Sequence, residues 1–123
     1  MNKTVLIIED EAPMLMALME KFTIAGLNVL KASDGNEGLK IALKKHPDLI
    51  LLDIIMPHMN GMEMLRKLRQ DEWGKYVDVI ILTNLNDLGN ISEAVERKVH
   101  GFWIKSDWKL DDLVKAVKKK IKK

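Results

Sequence analysis

The sequence predicts a doubly wound α/β fold built on a five-stranded parallel sheet, and three observations predict it. The apolar runs VLII (5–8), LILL (49–52) and VIIL (79–82) are continuous rather than alternating, as strands covered on both faces of a parallel sheet require. Stretches with helical apolar spacing lie between the runs. Glycine and proline fall at the joints.

In chain order, VLII is the first strand. A helix follows on Leu15, Leu18, Met19 and Phe22, with Pro13 suited to its first turn and Gly26 after its end. A weaker run at 27–30 is the second strand, and Leu39, Ala42 and Leu43 mark the second helix, closed by Pro47. LILL is the third strand; Gly61 then precedes a third helix on Met62, Leu65 and Leu68. VIIL is the fourth strand. Residues 86–99 carry Ile91 and Val95 at helical spacing, but Asn86, Gly89 and Asn90 weaken the start, so a short fourth helix is expected there. Gly101 precedes the fifth strand at 102–104, and Leu110, Leu113, Val114, Val117 and Ile121 define the clearest helix of all. Strand and helix alternate five times, which is the pattern of this fold class.

At 123 residues and 47% hydrophobic, the chain suits one domain spanning 1–123, with one core. The absence of cysteine excludes a disulfide framework, thiolate metal ligands and a thiolate nucleophile, and fits the cytoplasm. No charge-free run approaches the roughly 18 apolar residues of a membrane span, and MNKTVLIIEDE turns acidic too early for a signal peptide. Net charge is +2, with lysines 115, 118, 119, 120, 122 and 123 concentrated in KAVKKKIKK. They read as the solvated face and end of the last helix, where cations meet the dipole favourably, rather than as a nucleic-acid patch. His46, His58 and His100 lack ligand spacing, and the eight methionines read as core filler.

In an open parallel sheet, ligands bind at the carboxyl ends of the strands. After VLII come Glu9, Asp10 and Glu11; after LILL, Asp53; after VIIL, Thr83; after FWI, Lys105. Carboxylates gathered on one edge repel unless neutralised, and oxygen donors of this kind suit a hard divalent ion, Mg²⁺ or Mn²⁺. With such an ion present, an aspartate carboxylate can attack phosphorus and become an acyl phosphate. A lysine and a hydroxyl across the gap suit the transferring oxygens. A single aspartate after a strand is more often a cap or a solvated loop residue; four strand ends with complementary chemistry are harder to obtain by chance.

These residues resemble the receiver domains of bacterial two-component response regulators over the whole chain. VLIIEDE is similar to the family's acidic pair after the first strand, and DLILLDIIMPHMNGMEML to its phosphoacceptor segment; Thr83 and Lys105 follow at family-like intervals. The resemblance implies a flavodoxin-like (βα)5 fold of strand order 2-1-3-4-5. It implies Asp53 as phosphoacceptor, metal held by Asp10, Asp53 and the backbone carbonyl of Ile55, with Glu9 reaching it through water, and Thr83 and Lys105 on the phosphoryl oxygens. It also implies a sensor histidine kinase, a phosphotransfer protein or a small phosphodonor as phosphate source. A downstream protein or an attached output domain would receive the signal, with no direct nucleic-acid or membrane binding by this domain. Thr83 and Phe102 would form the switch, reshaping the face made by the fourth helix, fifth strand and fifth helix.

The sequence departs from the family at several points. Ser106 follows Lys105 where many relatives have proline, so the isomer of that bond is open. Asn84 is larger than the Ala or Gly often found after the threonine in the family, so its side chain is expected to narrow access to Asp53 and to alter phosphate lifetime. VERKVHGFWIKS lacks the paired acids of receivers that dimerise through this face, which puts the usual symmetric, phosphorylation-dependent dimer in doubt; Trp103 and Trp108 flank the same surface and would anchor an interface if exposed, but burial is the expectation for Trp103. Among rivals, a flavin carrier needs a Ser/Thr/Gly phosphate loop where EDEAPM stands. A phosphatase with an aspartate nucleophile needs a second aspartate where Ile55 stands. A receiver-like interaction module that takes no phosphate is the third alternative.

Overall fold

The computed structural model describes residues 2–54, 60–83, 101–104 and 109–121, and at 83, 101, 102 and 104 it describes the backbone alone. The strands are β1 (Thr4–Ile8), β2 (Asn28–Ala32), β3 (Leu49–Asp53), β4 (Asp78–Thr83) and β5 (Gly101–Ile104). Helices α1 (Ala12–Ile24), α2 (Gly35–Lys45) and α3 (Gly61–Leu68) follow the first three strands, and a C-terminal helix spans Leu110–Ile121. The sheet has the order β2-β1-β3-β4-β5, with every described pairing parallel. The expected helix at 86–99 and the Lys105–Ser106 bond lie outside the described residues.

The continuous apolar runs are explained by two cores, one on each face of the sheet. Leu6, Ile8, Ile50, Leu52, Val79 and Ile81 pack with residues of α2 and α3. Their neighbours in sequence, Val5, Ile7, Leu49, Leu51, Ile80 and Leu82, pack with α1 and the C-terminal helix. Because successive side chains point to opposite faces, only a run apolar at every position feeds both layers. Each fully buried Leu or Ile contributes roughly 1.5–3 kcal/mol to holding those layers together.

The second strand begins and ends later than its apolar run. Ala25 closes α1, Gly26 follows with φ +91°, and Leu27 donates its N–H to the Phe22 carbonyl at 3.1 Å. Leu27 is thus occupied in ending the helix, and ladder pairing starts at Asn28, opposite Thr4. The weak apolar signal reflects an edge strand: of β2 only Ala32 is fully buried.

Local chemistry sets the helix starts. The Asp34 side chain caps α2 by accepting the Glu37 N–H at 2.8 Å, while Glu37 Oε1 accepts the Ser33 N–H at 2.8 Å. Asn60 caps α3 through the Glu63 N–H at 2.9 Å. The lysines of the C-terminal helix at 115, 118 and 119 are exposed, and Lys118 Nζ donates to the Ala25 carbonyl at the end of α1 at 3.2 Å.

The connection from α3 to β4 is held from beneath by Arg69, whose Nη1 donates to the carbonyls of Gly74 at 2.6 Å and Val77 at 3.0 Å. Burial pushes this guanidinium below its ordinary pKa, and the Asp78 carboxylate opposes the shift. Arg69→Met keeps the apolar stem but strands both carbonyls. We expect the unfolding free energy to fall by about 2 kcal/mol; an unchanged urea midpoint would mean that the two bonds add nothing net.

Candidate acidic site

The parallel strands end together, and the site lies on that edge. β1 finishes at Ile8, but the Glu9 N–H still donates to the Ala32 carbonyl of β2 at 3.0 Å, so the ladder runs one residue further. This holds the Glu9 side chain inside, at 0% exposure. Its Oε2 accepts the Glu11 N–H at 3.1 Å, which turns the chain toward α1; Asp10, between them, is exposed. Pro13 then occupies the first turn of α1, where its missing N–H costs nothing.

Asp53 is the last residue of β3, in register with Leu82, and is 3% exposed. Immediately beyond it the Ile54 carbonyl accepts the Gly61 N–H at 2.7 Å, bringing the start of α3 against the strand end. A Cβ on Gly61 would collide with the backbone oxygen of Asp53 and the Cα of Ile54, so only glycine permits this approach. The role of Gly61 as more than an element boundary could not be read without knowing that the chain returns to Asp53.

One carboxylate oxygen from each of Glu9, Asp10 and Asp53 lies within 4.8 Å of the others. Glu9 and Asp53 are the buried pair of the three, and two unit negative charges 4.8 Å apart, the outer limit of this cluster, would repel by about 3.5 kcal/mol in an effective dielectric of about 20. All three donors are hard oxygens, and the chain has no cysteine, so the set fits Mg²⁺ or Mn²⁺ better than a thiophilic ion.

The remaining sequence-predicted residues stand as follows. Thr83 ends β4, its backbone paired with Ile104, on the same edge of the sheet as the end of β3. Phe102 lies in β5 opposite Ile81. Ile55, Lys105, Asn84 and Trp108 lie outside the described residues, while Trp103 is half-buried against the core on the α1 side.

A family model described as the response regulator receiver domain matches residues 5–118. Sporulation initiation phosphotransferase F of Bacillus subtilis (strain 168) is 33% identical over 119 residues, covering 97% of this chain and 94% of that protein. The probable transcriptional regulator ycf27 of Porphyridium aerugineum is 31% identical across 99% of this chain, which spans only 50% of the ycf27 length. Among solved structures, a response regulator receiver domain protein from Clostridium thermocellum superposes with a TM-score of 0.87 at 30% identity, covering 98% of this chain and 94% of that one. A CheY-like receiver domain protein from Methanospirillum hungatei JF-1 reaches 0.90 at 25% identity, covering 99% and 95%.

Proposed function

The chain belongs to the response regulator receiver domain family, and on that premise we propose that it accepts a phosphoryl group on the carboxylate of Asp53. The observation that carries this reading is the meeting of Glu9, Asp10 and Asp53 within 4.8 Å at the carboxyl edge of the sheet, with Asp53 almost wholly buried. A lone solvated aspartate would need no such company.

In the proposed reaction a carboxylate oxygen of Asp53 attacks phosphorus. The bond from phosphorus to the donor breaks: P–N for a phosphohistidine of a sensor kinase or phosphotransfer protein, P–O for acetyl phosphate. The electron pair leaves with imidazole or acetate, and Asp53 holds an acyl phosphate. Asp10, Asp53 and the carbonyl of Ile55 would hold Mg²⁺, with Glu9 reaching it through water. The ion would supply charge neutralisation for both the carboxylates and the incoming phosphoryl oxygens. The Lys105 ammonium and the Thr83 hydroxyl would take the remaining oxygen charge. The phosphoryl group ends on the domain's own aspartate, so the chemistry is autophosphorylation and autodephosphorylation in the service of signalling rather than metabolic catalysis.

Thr83, drawn toward the phosphate, and Phe102 on the neighbouring strand would form the switch that alters the surface around β5 for a downstream protein or output domain. Phe102 lacks a ring hydroxyl, so its switch works by packing alone. Among the described residues no helix is long and apolar enough to cross a membrane.

Incubation with Mg²⁺ and acetyl phosphate or phosphoramidate, followed by intact-mass measurement, tests the proposal. We expect a mass gain of one phosphate that Asp53→Asn abolishes. A gain that persists in the variant, or none in the wild type, would overturn it.

A further inference from the structure

At the opposite edge of the sheet, where the strands begin, a cavity of about 330 Å³ is lined chiefly by His46, Asp48, Trp73, Tyr76 and Asp78. Phosphoacceptor chemistry uses none of these residues. Tyr76 is 81% exposed, the largest exposure among the exposed bulky apolar residues described. His46 and Trp73 stack face to face, with ring centroids 4.3 Å apart and planes 12° from parallel. His46 also ends α2 with φ +49°, a left-handed conformation that glycine adopts far more readily and that a side chain keeps where its surroundings hold it.

The walls are braced before any ligand arrives. Arg69 pins the loop bearing Trp73 and Tyr76 through the Gly74 and Val77 carbonyls, and the Gly74 N–H donates to Asp71 Oδ2 at 2.9 Å. Asp48 is tied to β1 at both ends: its N–H donates to the Thr4 carbonyl at 2.8 Å and its Oδ2 accepts the Thr4 N–H at 2.8 Å. Arg69 offsets the charge of Asp78, so the net negative charge of the cavity rests on Asp48.

We propose that this cavity is a docking site for an arginine side chain presented by a partner protein. At about 330 Å³ the cavity is at the lower end of the roughly 300–1,000 Å³ of ligand sites, a size that accommodates one long side chain. The cavity lining offers a guanidinium both kinds of partner it favours, the exposed face of Tyr76 for its plane and the Asp48 carboxylate, whose Oδ2 already accepts the Thr4 N–H, for its N–H groups. A lysine ammonium lacks both the plane and the fork. A rigid aromatic wall loses little freedom on binding, and tyrosine and tryptophan are the residues over-represented where interface energy concentrates. The site lies at the far end of the strands from Asp53, so a partner could be held there while the acidic edge exchanges phosphate.

The test is a titration of the ¹⁵N-labelled protein with a blocked Gly-Gly-Arg-Gly-Gly peptide, following the indole N–H signal of Trp73, assigned with Trp73→Phe. We expect a saturable shift, with affinity falling about fivefold when the peptide arginine is replaced by lysine and by a similar factor in Tyr76→Ala. Tyr76 is too exposed for that substitution to unfold the protein, and phosphorylation of Asp53 should be unchanged in it. Asp48→Asn should weaken binding at least as much. A shift that does not saturate, equal affinity for the lysine peptide, or undiminished binding by Tyr76→Ala overturns the proposal.

Discussion

Gly61→Ala is expected to lower the unfolding free energy by about 3 kcal/mol or more and, on the proposed function, to slow phosphorylation of Asp53 sharply. The added methyl would meet the backbone oxygen of Asp53 and the Cα of Ile54, and neither can rotate away as a flexible side chain would. Overpacking against side chains costs about 1–3 kcal/mol because they yield; backbone at the end of a central strand yields only by breaking its register. The hydrogen bond from the Gly61 N–H to the Ile54 carbonyl would lengthen as α3 is pushed off. Asp53 is displaced with it, so the chemistry suffers beyond the loss of stability, since small misplacements of reacting groups are costly. Urea unfolding and the rate of mass gain with acetyl phosphate measure the two effects. A variant of wild-type stability and wild-type phosphorylation rate would show that the strand end has slack which the structure does not display.

Gly61 also marks where the sequence stops being readable. The runs at 5–8, 49–52 and 79–82 announced buried parallel strands because each residue in them feeds one of two cores, a property of composition that needs no contact map. The acids at strand ends could likewise be located, since strand direction places them on one edge. What could not be read were facts made by chain return. That Gly61 touches Asp53, that Glu9 is sealed by one further ladder bond to Ala32, and that His46 lies on Trp73 each join residues whose separation carries no periodicity. The His46 case is instructive: helix-end rules assign the left-handed position to glycine or asparagine, and Pro47 signalled only that the helix stops. The reading of 27–30 as a strand erred in its bounds for a related reason, because Leu27 satisfies the apolar pattern while its N–H closes α1.

Asp53→Asn is expected to make the metal-free protein more stable, by about 1–2 kcal/mol, while removing most of the stabilisation that Mg²⁺ is expected to give the wild type. The argument rests on the buried pair. Glu9 and Asp53 each place a carboxylate oxygen within 4.8 Å of the other and both are almost fully enclosed, so folding brings together two carboxylates that, as unit charges at that outer limit, would repel by about 3.5 kcal/mol in an effective dielectric of about 20. Asparagine keeps the shape and removes one charge. The gain is smaller than the full repulsion because Asp53 has polar contacts of its own within the fold, and these weaken with the charge. In the wild type a divalent cation at about 100 times its dissociation constant should add about 2.7 kcal/mol by mass action. The variant, with one carboxylate fewer, should gain much less at the same concentration. Urea unfolding of both proteins, with and without MgCl₂, separates the outcomes. If Asp53→Asn were the less stable protein without metal, or if Mg²⁺ raised both midpoints equally, the acidic cluster would be an ordinary part of the fold. The predicted crossing of the two stabilities instead identifies a site that the fold tolerates at a cost because its use requires the charge.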